Sequence, residues 1–362
     1  MRDPATTSVQ PDRWRAALAL VLLTVLAGAA ALGLRPAVRM QAEYLVFGSR
    51  ARVDVVAADR ERAEAALAEI GGVLAEDHRR WHAWEPSALT QLNQALAAGR
   101  SVRPEPDLLE MIRLALVGYT RSGGLFDPAA GRLIGAWGFH TSDYPVRTAA
   151  PDAAQLQALL AQRPSMADIE VTDTGRVRSR NPAVALDLNA MAEGYAALQV
   201  QRILARHGID DALVYIGGFV LAVGDDDGKP WPVGIRAADG MLGTLVLQDG
   251  EALASSGDYE RHRDGTAQGH IVDPRDGRPQ RASAAASVLA RDPVMADIAA
   301  TALMVAGPEG MARVAHDMGL RCIAVQDHDG ALHLSPALAE RLQLTAPAAQ
   351  PVRMVEVDDG PC

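Results

Sequence analysis

The alternation of apolar and polar residues divides the chain into segments of helical and of extended periodicity. From Arg60 to Trp84, apolar residues recur three and four positions apart, which predicts an amphipathic helix. Further helices are predicted at residues 88–98, 107–123, 153–161, 190–207, 296–306 and 308–318. Short apolar stretches bounded by Gly, Pro and Asp predict strands at 44–58 (two pieces), 169–172, 177–179, 212–223, 232–237, 242–248, 252–255, 270–274, 285–290, 322–326 and 331–334. This order of elements indicates an α+β fold with its strands concentrated in the second half.

An uncharged hydrophobic segment occupies residues 16–34, and Arg13 and Arg15 precede it. Its length suits a short transmembrane helix, and the basic flank predicts that the rest of the chain lies outside the cytoplasm. Small residues at positions 27–31 also resemble a signal-peptide cleavage site. We expect an uncleaved anchor, with a cleaved signal peptide and a buried core helix as alternatives. Residues 1–38 are therefore assigned to a cytoplasmic tail and a membrane anchor or signal segment.

Composition narrows the class of protein to which the remaining chain can belong. Apolar residues make up 49% of the sequence, which is enough for a sizeable core in one body spanning residues 39–344. The net charge of −10 is spread along the chain, which argues against a nucleic-acid binder. Two cysteines, Cys322 and Cys362, exclude a disulfide framework and disfavour a thiolate zinc site. Residues 345–362 have no periodicity and are predicted to be disordered.

Asp297 and Thr301 lie four positions apart in a predicted helix, so both side chains project from one face. A carboxylate and a hydroxyl are hard oxygen ligands suited to magnesium or calcium. From these two residues alone, the simpler interpretation is a helix-terminal carboxylate and a threonine bonded to its own helix.

A second group surrounds Asp187, where a predicted strand ends and a helix begins. A strand-to-helix turn exposes backbone groups that can bind a cation or a phosphate, and Glu193 lies in the first part of this helix. The structural alternative is that Asp187 caps the helix and that Glu193 is a surface charge favoured by the helix dipole.

Polar residues and glycines also cluster in the second half of the chain. Residues 255–261 read SSGDYER, and His270 begins a predicted strand among Asp- and Gly-rich turns, where binding residues are common. Gly217-Gly218 interrupts an otherwise apolar strand, which indicates close approach of a ligand or of the chain. No dinucleotide-binding, P-loop or HExxH pattern is present, and the sequence lacks the G-x-S-x-G elbow of hydrolases.

Six segments in order resemble the ApbE family, the FAD:protein FMN transferases. They are FDPAAGRLIGAWGF (126–139), DLNAMAEGYA (187–196), YIGGF (215–219), SSGDYER (255–261), GHIVDPRDGRP (269–279) and VMADIAATALMVAGPEG (294–310). The resemblance covers residues 44–344 and implies a single ApbE-like, T-fold-like catalytic body of packed antiparallel sheets and helices. Residues 81–86 also resemble the branch of the family linked to nitrous-oxide reductase maturation.

The resemblance implies a role for individual residues. Asp297, Thr301 and the backbone carbonyl of Ala190 would bind Mg²⁺. His270 would act as general base or position the acceptor hydroxyl. The FAD contacts would be Phe47, Trp84, Leu125, Phe126, Asp127, Asp187, Glu193 and Ile271, with Trp84 in the place of a tyrosine that packs on the isoalloxazine ring.

Three positions depart from the family pattern. Phe47-Gly48-Ser49 stands in the place of Met-Gly-Thr, so the glycine that permits backbone approach is kept. Ala88 stands where a glutamate is usual, which removes one carboxylate. Glu193 stands where a lysine is common, which reverses the charge beside the expected FAD site.

The function implied is Mg²⁺-dependent transfer of FMN from FAD to a Thr or Ser hydroxyl of a target protein, with release of AMP. The implied acceptor is a redox protein of the membrane or periplasm, and the catalytic domain would face the periplasm of a bacterial inner membrane. An FAD pyrophosphatase, in which water replaces the hydroxyl, is one alternative. A flavin-binding module without catalysis is a second, and a structural membrane-anchored partner protein is a third.

Overall fold

The computed structural model describes residues 37–238, 240–258, 261–266, 268–345, 351–360 and 362. Its strands are β1 (Val38–Val46), β2 (Ser49–Ala57), β3 (Ile169–Val171), β4 (Val177–Ser179), β5 (Asp211–Ile216), β6 (Phe219–Val223), β7 (Trp231–Ala237), β8 (Gly240–Leu247), β9 (Ala252–Gly257), β10 (Ala285–Ala290), β11 (Cys322–Gln326), β12 (Leu332–Leu334), β13 (Gln343–Leu344) and β14 (Val352–Met354). Its helices are α1 (Arg60–Arg80), α2 (Ala88–Ala97), α3 (Pro106–Arg121), α4 (Gly131–Ala136), α5 (Ala153–Ala161), α6 (Asn189–Arg206), α7 (Pro293–Met318) and α8 (Pro336–Arg341). The mixture confirms the predicted α+β class.

One large sheet organises the fold. Its strands follow the order β1-β2-β5-β6-β9-β10-β11-β12-β14. Neighbouring strands are antiparallel from β1 to β12, and β14 pairs with β12 in the parallel sense. A second sheet has the order β13-β8-β7, and β3 and β4 form a small hairpin.

The two faces of the large sheet pack against different layers. On β5, Ala212, Val214 and Ile216 point into the main core, which also contains buried residues of α1, α6 and α7. Leu213, between them, points into a second core shared with β7 and β8. Because side chains alternate across a strand, one apolar stretch can supply both cores. The result is a layer of helices, the large sheet, and the small sheet.

Helix α7 contains a break that the sequence predicts. Asp292 caps its first turn by accepting hydrogen bonds from the backbone N–H groups of Val294 and Met295, both at 3.0 Å. Gly307 has φ 68°, a left-handed conformation that favours glycine, and Pro308 follows it. Proline lacks the N–H needed to continue the helix. Two consecutive helices at 296–306 and 308–318 are therefore confirmed.

Three strand predictions are wrong. No strand ends at Asp187, because Ala185 makes only an isolated bridge to Ala130. Residues 212–223 form a hairpin, because Gly217 adopts φ 57° and the chain reverses between β5 and β6. Residues 270–274 form no strand, although Val272 makes an isolated bridge to Pro279. The carboxylate of Asp273 accepts a hydrogen bond from the Arg275 N–H at 2.9 Å, which produces a local turn instead.

The prediction that residues 345–362 are disordered is wrong for the part that the structure describes. The N–H of Leu332 donates to the Pro351 carbonyl at 3.0 Å, so β14 extends the large sheet. Cys362 forms a disulfide with Cys322 of β11, and their Cα atoms lie 5.2 Å apart. The strand was missed because it is only three residues long and wholly exposed, so no apolar alternation marks it.

The hydrophobic segment 16–34 lies outside the described residues, as does most of the predicted tail 1–38. Strand β1 begins at Val38, at the end of that stretch. Among the residues that the structure describes, no helix has the length and apolarity needed to cross a membrane.

Candidate functional site

Helices α6 and α7 cross closely near their N-terminal ends. A carboxylate oxygen of Asp297, a residue only 9% exposed, accepts a hydrogen bond from the backbone N–H of Gly194 at 2.8 Å. A Cβ atom on Gly194 would lie 2.5 Å from the Pro293 carbonyl oxygen and 2.8 Å from the Cβ of Asp297. The absence of a side chain at Gly194 is therefore what brings Asp297 against the backbone of α6.

This crossing concentrates negative charge. Burial raises the pKa of the Asp297 carboxyl well above its usual value, the nearby Glu193 raises it further, and the backbone N–H groups of Gly194 and Glu193 oppose both effects. A buried carboxylate beside a second, partly exposed one is disfavoured unless a proton or a cation neutralises the charge. The site therefore has the electrostatic character of a cation-binding site.

The predicted magnesium ligands lie around the same crossing. Thr301 follows Asp297 by one turn of α7, so the two share a helix face. In a regular helix, the Gly194 N–H would donate to the Ala190 carbonyl, and here the Asp297 carboxylate competes for that donor. Among the described residues, no group of three or more His, Cys, Asp or Glu side chains could hold a metal. The predicted set of one carboxylate, one hydroxyl and one carbonyl does not require such a group.

Glu193 connects α6 to the turn between β5 and β6. Its Oε2 accepts a hydrogen bond from the Gly218 N–H at 3.0 Å, and a Cβ on Gly217 would lie 2.1 Å from its Oε1. The close approach predicted at Gly217-Gly218 is therefore made by the carboxylate of Glu193, a predicted FAD contact. One of its carboxylate oxygens is already held by the protein backbone.

The tip of the β1–β2 hairpin is fixed at Phe47, which has φ 54° and precedes Gly48 at φ 69°. The Phe47 N–H donates to Nδ1 of His78 at 3.1 Å, and its carbonyl accepts from Nη2 of Arg261 at 2.9 Å. Its ring stacks on Trp81 with centroids 5.6 Å apart and planes inclined by 9°. Contacts on the backbone and on the ring together hold this predicted FAD contact in one position.

Trp84 belongs to a group of aromatic rings at the start of α6. Its ring stacks on His140 with centroids 5.3 Å apart, and His82 meets it edge-on at 4.3 Å. Nε2 of His140 lies 3.0 Å from Oδ2 of Asp187, which is 4% exposed. The other oxygen of Asp187 accepts from the Asn189 N–H at 3.0 Å. Asp187 thus joins the predicted flavin-stacking residue to the first turn of α6.

The segment after α3 enters the same region and contains three predicted FAD contacts, Leu125, Phe126 and Asp127. The side chains of Leu125 and Phe126 are 3% and 1% exposed and belong to the main core, so a ligand can reach mainly their backbone. Oδ1 of Asp127 accepts from the N–H groups of Ala129 and Met166, both at 3.0 Å. Burial raises the pKa of Asp127 to about 6, and these two donors oppose the rise.

Two cavities adjoin predicted FAD contacts. One of about 400 Å³ is lined by Trp84 together with residues of α2 that include Gln91 and Gln94. The other, of about 390 Å³, is lined by Asp127 and by Arg163 among others. Both are open to solvent, and neither is lined by Asp297, Glu193 or His270.

His270 and Ile271 lie in a loop rather than in the predicted strand. Burial lowers the pKa of His270 to about 4, the charge of Arg261 lowers it further, and Asp187 opposes the shift. Nδ1 of His270 is buried without a hydrogen-bond partner among the described residues. Ile271 is 8% exposed and packs in the main core, and its carbonyl accepts from the Gln280 N–H at 2.8 Å. A neutral imidazole nitrogen is thus available near Asp187.

The structure links several of the predicted residues through shared neighbours. Asp187 meets the loop that follows Asp127, because its N–H donates to the Pro128 carbonyl at 2.8 Å. The sequence did not identify two of the connecting residues. His140 lies between Asp187 and Trp84. Arg261 lies between His270 and Phe47. Arg261 ends one of the segments quoted above, so its segment was found but its role was not. Nothing in the sequence marked His140 as a site residue, because a single histidine in a loop belongs to no periodic pattern.

Known proteins resemble this chain in sequence. The ApbE family model matches residues 47–324. A FAD:protein FMN transferase of Rhodobacter capsulatus is 40% identical over 334 residues, which cover 91% of this chain and 63% of that protein. One from Klebsiella pneumoniae (strain 342) is 31% identical over 288 residues, which cover 76% of this chain and 80% of that protein. This chain therefore spans less than two thirds of the first relative and most of the second.

The fold also resembles that of a solved structure. The flavin transferase ApbE from Vibrio cholerae has a TM-score of 0.73 and 24% identity, covering 85% of this chain and all of that one. The chain belongs to the ApbE family, and both of these relatives are FAD:protein FMN transferases.

Proposed function

We propose that this chain transfers FMN from FAD to a Thr or Ser hydroxyl of a target protein and releases AMP, with Mg²⁺ bound at the α6–α7 crossing. The family membership supports the transfer of FMN. The observation that carries the proposal is the packing of the buried Asp297 carboxylate against the backbone of α6, next to the partly exposed Glu193. A cation bound there would neutralise this negative charge beside the predicted FAD contacts. A site built only to stack a flavin would not need two carboxylates at this place.

The residues at the crossing fit a magnesium ion. Asp297 and Thr301 supply a carboxylate and a hydroxyl from one face of α7, and the Ala190 carbonyl would supply a third oxygen. Hard oxygen ligands of this kind are those that Mg²⁺ prefers, and it commonly keeps several waters and binds substrate phosphates as well. When bound, the ion would offset the negative charge that develops on the departing phosphate.

In the proposed reaction, the acceptor hydroxyl oxygen attacks the phosphorus that carries the FMN group. The bond from that phosphorus to the bridging oxygen breaks, so AMP leaves and a phosphoester joins FMN to the acceptor. His270 would accept the hydroxyl proton, since its lowered pKa keeps the imidazole neutral at pH 7. The contribution of the protein is mainly position and electrostatics, as in other phosphoryl transfers.

Flavin binding would use the aromatic residues around Asp187. Trp84, backed by His140, would offer a flat surface for the isoalloxazine ring. Phe47 would meet the flavin from the fixed hairpin tip, and the backbone at Leu125 to Asp127 would border the same space.

We further propose that the catalytic domain lies in the periplasm and is attached to the inner membrane through residues 16–34. The bond between Cys322 and Cys362 supports this location, because disulfides persist in oxidising compartments. The acceptor would then be a redox protein exposed on the same side of the membrane.

The test uses the full-length chain with FAD, Mg²⁺ and a protein acceptor that carries a Thr or Ser flavinylation site. Covalent flavin is measured as fluorescence on the denatured acceptor. Asp297→Ala should abolish labelling with the fold intact, whereas Asp317→Ala, at an exposed position of the same helix, should leave it unchanged. Full labelling by Asp297→Ala would contradict the metal assignment. FAD binding without AMP release would instead indicate a flavin-binding module.

A further inference from the structure

Arg261 joins three predicted parts of the site. Its Nη2 donates to the Phe47 carbonyl at 2.9 Å, and a Cβ on Gly48 would lie 3.4 Å from the same nitrogen. The backbone of Arg261 also raises the pKa of His270, which indicates that the two residues lie side by side. One residue is therefore next to both the hairpin tip that presents Phe47 and the histidine predicted to act in catalysis.

The charge of Arg261 reaches the interior of the site. Burial raises the pKa of the Tyr144 hydroxyl, and Arg261 and Asp187 act on it in opposite directions. The same two charges act in opposition on His270. Tyr144 and His270 are thus both within electrostatic range of the guanidinium and of Asp187. The guanidinium is therefore close to Tyr144 and His270 as well as to the hairpin tip.

Most of the hydrogen-bonding capacity of Arg261 is not used by the described residues. A guanidinium carries five N–H donors, and the Phe47 carbonyl takes one of them. Within the described part of the chain, no carboxylate forms an ion pair with Arg261. Two nearby arginines differ: Arg263 donates to the carbonyls of Trp137 and Thr148, and Arg275 makes an ion pair with an aspartate at 2.6 Å.

The surrounding charges define what Arg261 can bind. The predicted FAD and metal contacts include Asp187, Glu193 and Asp297, and no Lys or Arg is among them. A diphosphate brought to these carboxylates would be repelled unless positive charge lies beside it. The planar fork of a guanidinium matches the oxygens of phosphate and binds them through charge-assisted hydrogen bonds.

We propose that Arg261 is a substrate-binding residue whose free N–H donors hold the diphosphate of FAD while Nη2 fixes the Phe47 carbonyl. This inference rests on the proposed function, because it takes FAD as the substrate. It assigns the diphosphate to the space between the hairpin tip and His270, and it gives Arg261 two simultaneous contacts. Binding of the flavin ring and of the phosphates would then be coupled through one side chain.

The test compares three ligands in the full-length chain with Mg²⁺: FAD, ADP and riboflavin. Flavin binding is followed by fluorescence and ADP binding by calorimetry. Arg261→Gln keeps a donor for the Phe47 carbonyl and removes the charge, so FAD and ADP should bind about 10- to 100-fold more weakly. Riboflavin, which has no phosphate, should bind as it does to the wild type. Arg261→Lys should recover part of the loss, and Arg147→Ala, at an exposed ion pair, should have no effect.

The outcomes separate this inference from the proposed function. Equal losses of riboflavin and FAD in Arg261→Gln would overturn the inference, because the residue would then act only by positioning Phe47. Unchanged FAD and ADP affinity in that variant, or a wild type that binds neither ligand, would overturn it as well. A wild type that binds FAD through Arg261 but labels no acceptor would contradict the proposed function and leave the inference standing.

Discussion

The contact between α6 and α7 depends on Gly194, so Gly194→Ala should weaken both the fold and the site. The added methyl group would lie 2.5 Å from the Pro293 carbonyl oxygen, a backbone atom that cannot rotate away. Overpacking of this kind costs about 1–3 kcal/mol. Weakening the Gly194 hydrogen bond to the Asp297 carboxylate costs roughly 1.5 kcal/mol more. Alanine is the better helix former by about 1 kcal/mol, which offsets part of the loss.

The net expectation is a decrease of roughly 2 kcal/mol in the free energy of unfolding. Urea unfolding followed by circular dichroism measures it, and Gly72→Ala is the matched control. Gly72 also lies inside a helix, α1, but a Cβ there would meet no atom within 4 Å. That control should gain about 0.5–1 kcal/mol. If Gly194→Ala proved as stable as Gly72→Ala and kept full transfer activity, the account of the crossing would be refuted.

Three further predictions concern proton transfer, buried charge and the disulfide. His270→Ala should lower kcat by about 10²- to 10⁴-fold at unchanged KM for FAD. Protonation of His270 itself should lower activity only below about pH 5, since its pKa of about 4 keeps the imidazole neutral above that pH. Burial raises the pKa of Asp258 to about 7, so ionising it opposes folding and stability should fall as pH rises from about 4 to 7. Urea unfolding should show a smaller fall for Asp258→Asn. Cys362→Ser, which opens a bond between cysteines 40 positions apart, should cost about 2–4 kcal/mol and abolish the effect of a reductant on stability.

Local signals predicted most of the secondary structure, and failed where tertiary contacts decide. Hydrophobic periodicity and helix-terminal signals placed α1, α5 and both parts of α7 within a few residues. Gly217-Gly218 was recognised as a point of close approach, but the sequence does not say that the Glu193 carboxylate is what approaches it. β14 has no apolar pattern that would reveal it in the sequence. It is held by pairing with β12, and the disulfide ties the segment after it to β11.

The candidate site was predictable residue by residue only through the family resemblance. The spacing of Asp297 and Thr301 alone favoured an ordinary helix face. The spacing gives no information about the hydrogen-bond partner of Asp297, because Gly194 is 103 positions away in sequence. His140 and Arg261 were missed for the same reason: their roles depend on Asp187 and Phe47, which the chain brings near only when it folds.

The most direct test of the account is the ratio of AMP released to flavinylated acceptor formed, with the full-length chain, FAD and Mg²⁺. AMP is quantified by chromatography, and the acceptor by intact mass spectrometry. A transferase predicts one AMP for each acceptor that gains the mass of an FMN phosphoester, and loss of both products on chelation. AMP and free FMN in equal amounts, with an acceptor of unchanged mass, would contradict the central claim and identify a pyrophosphatase.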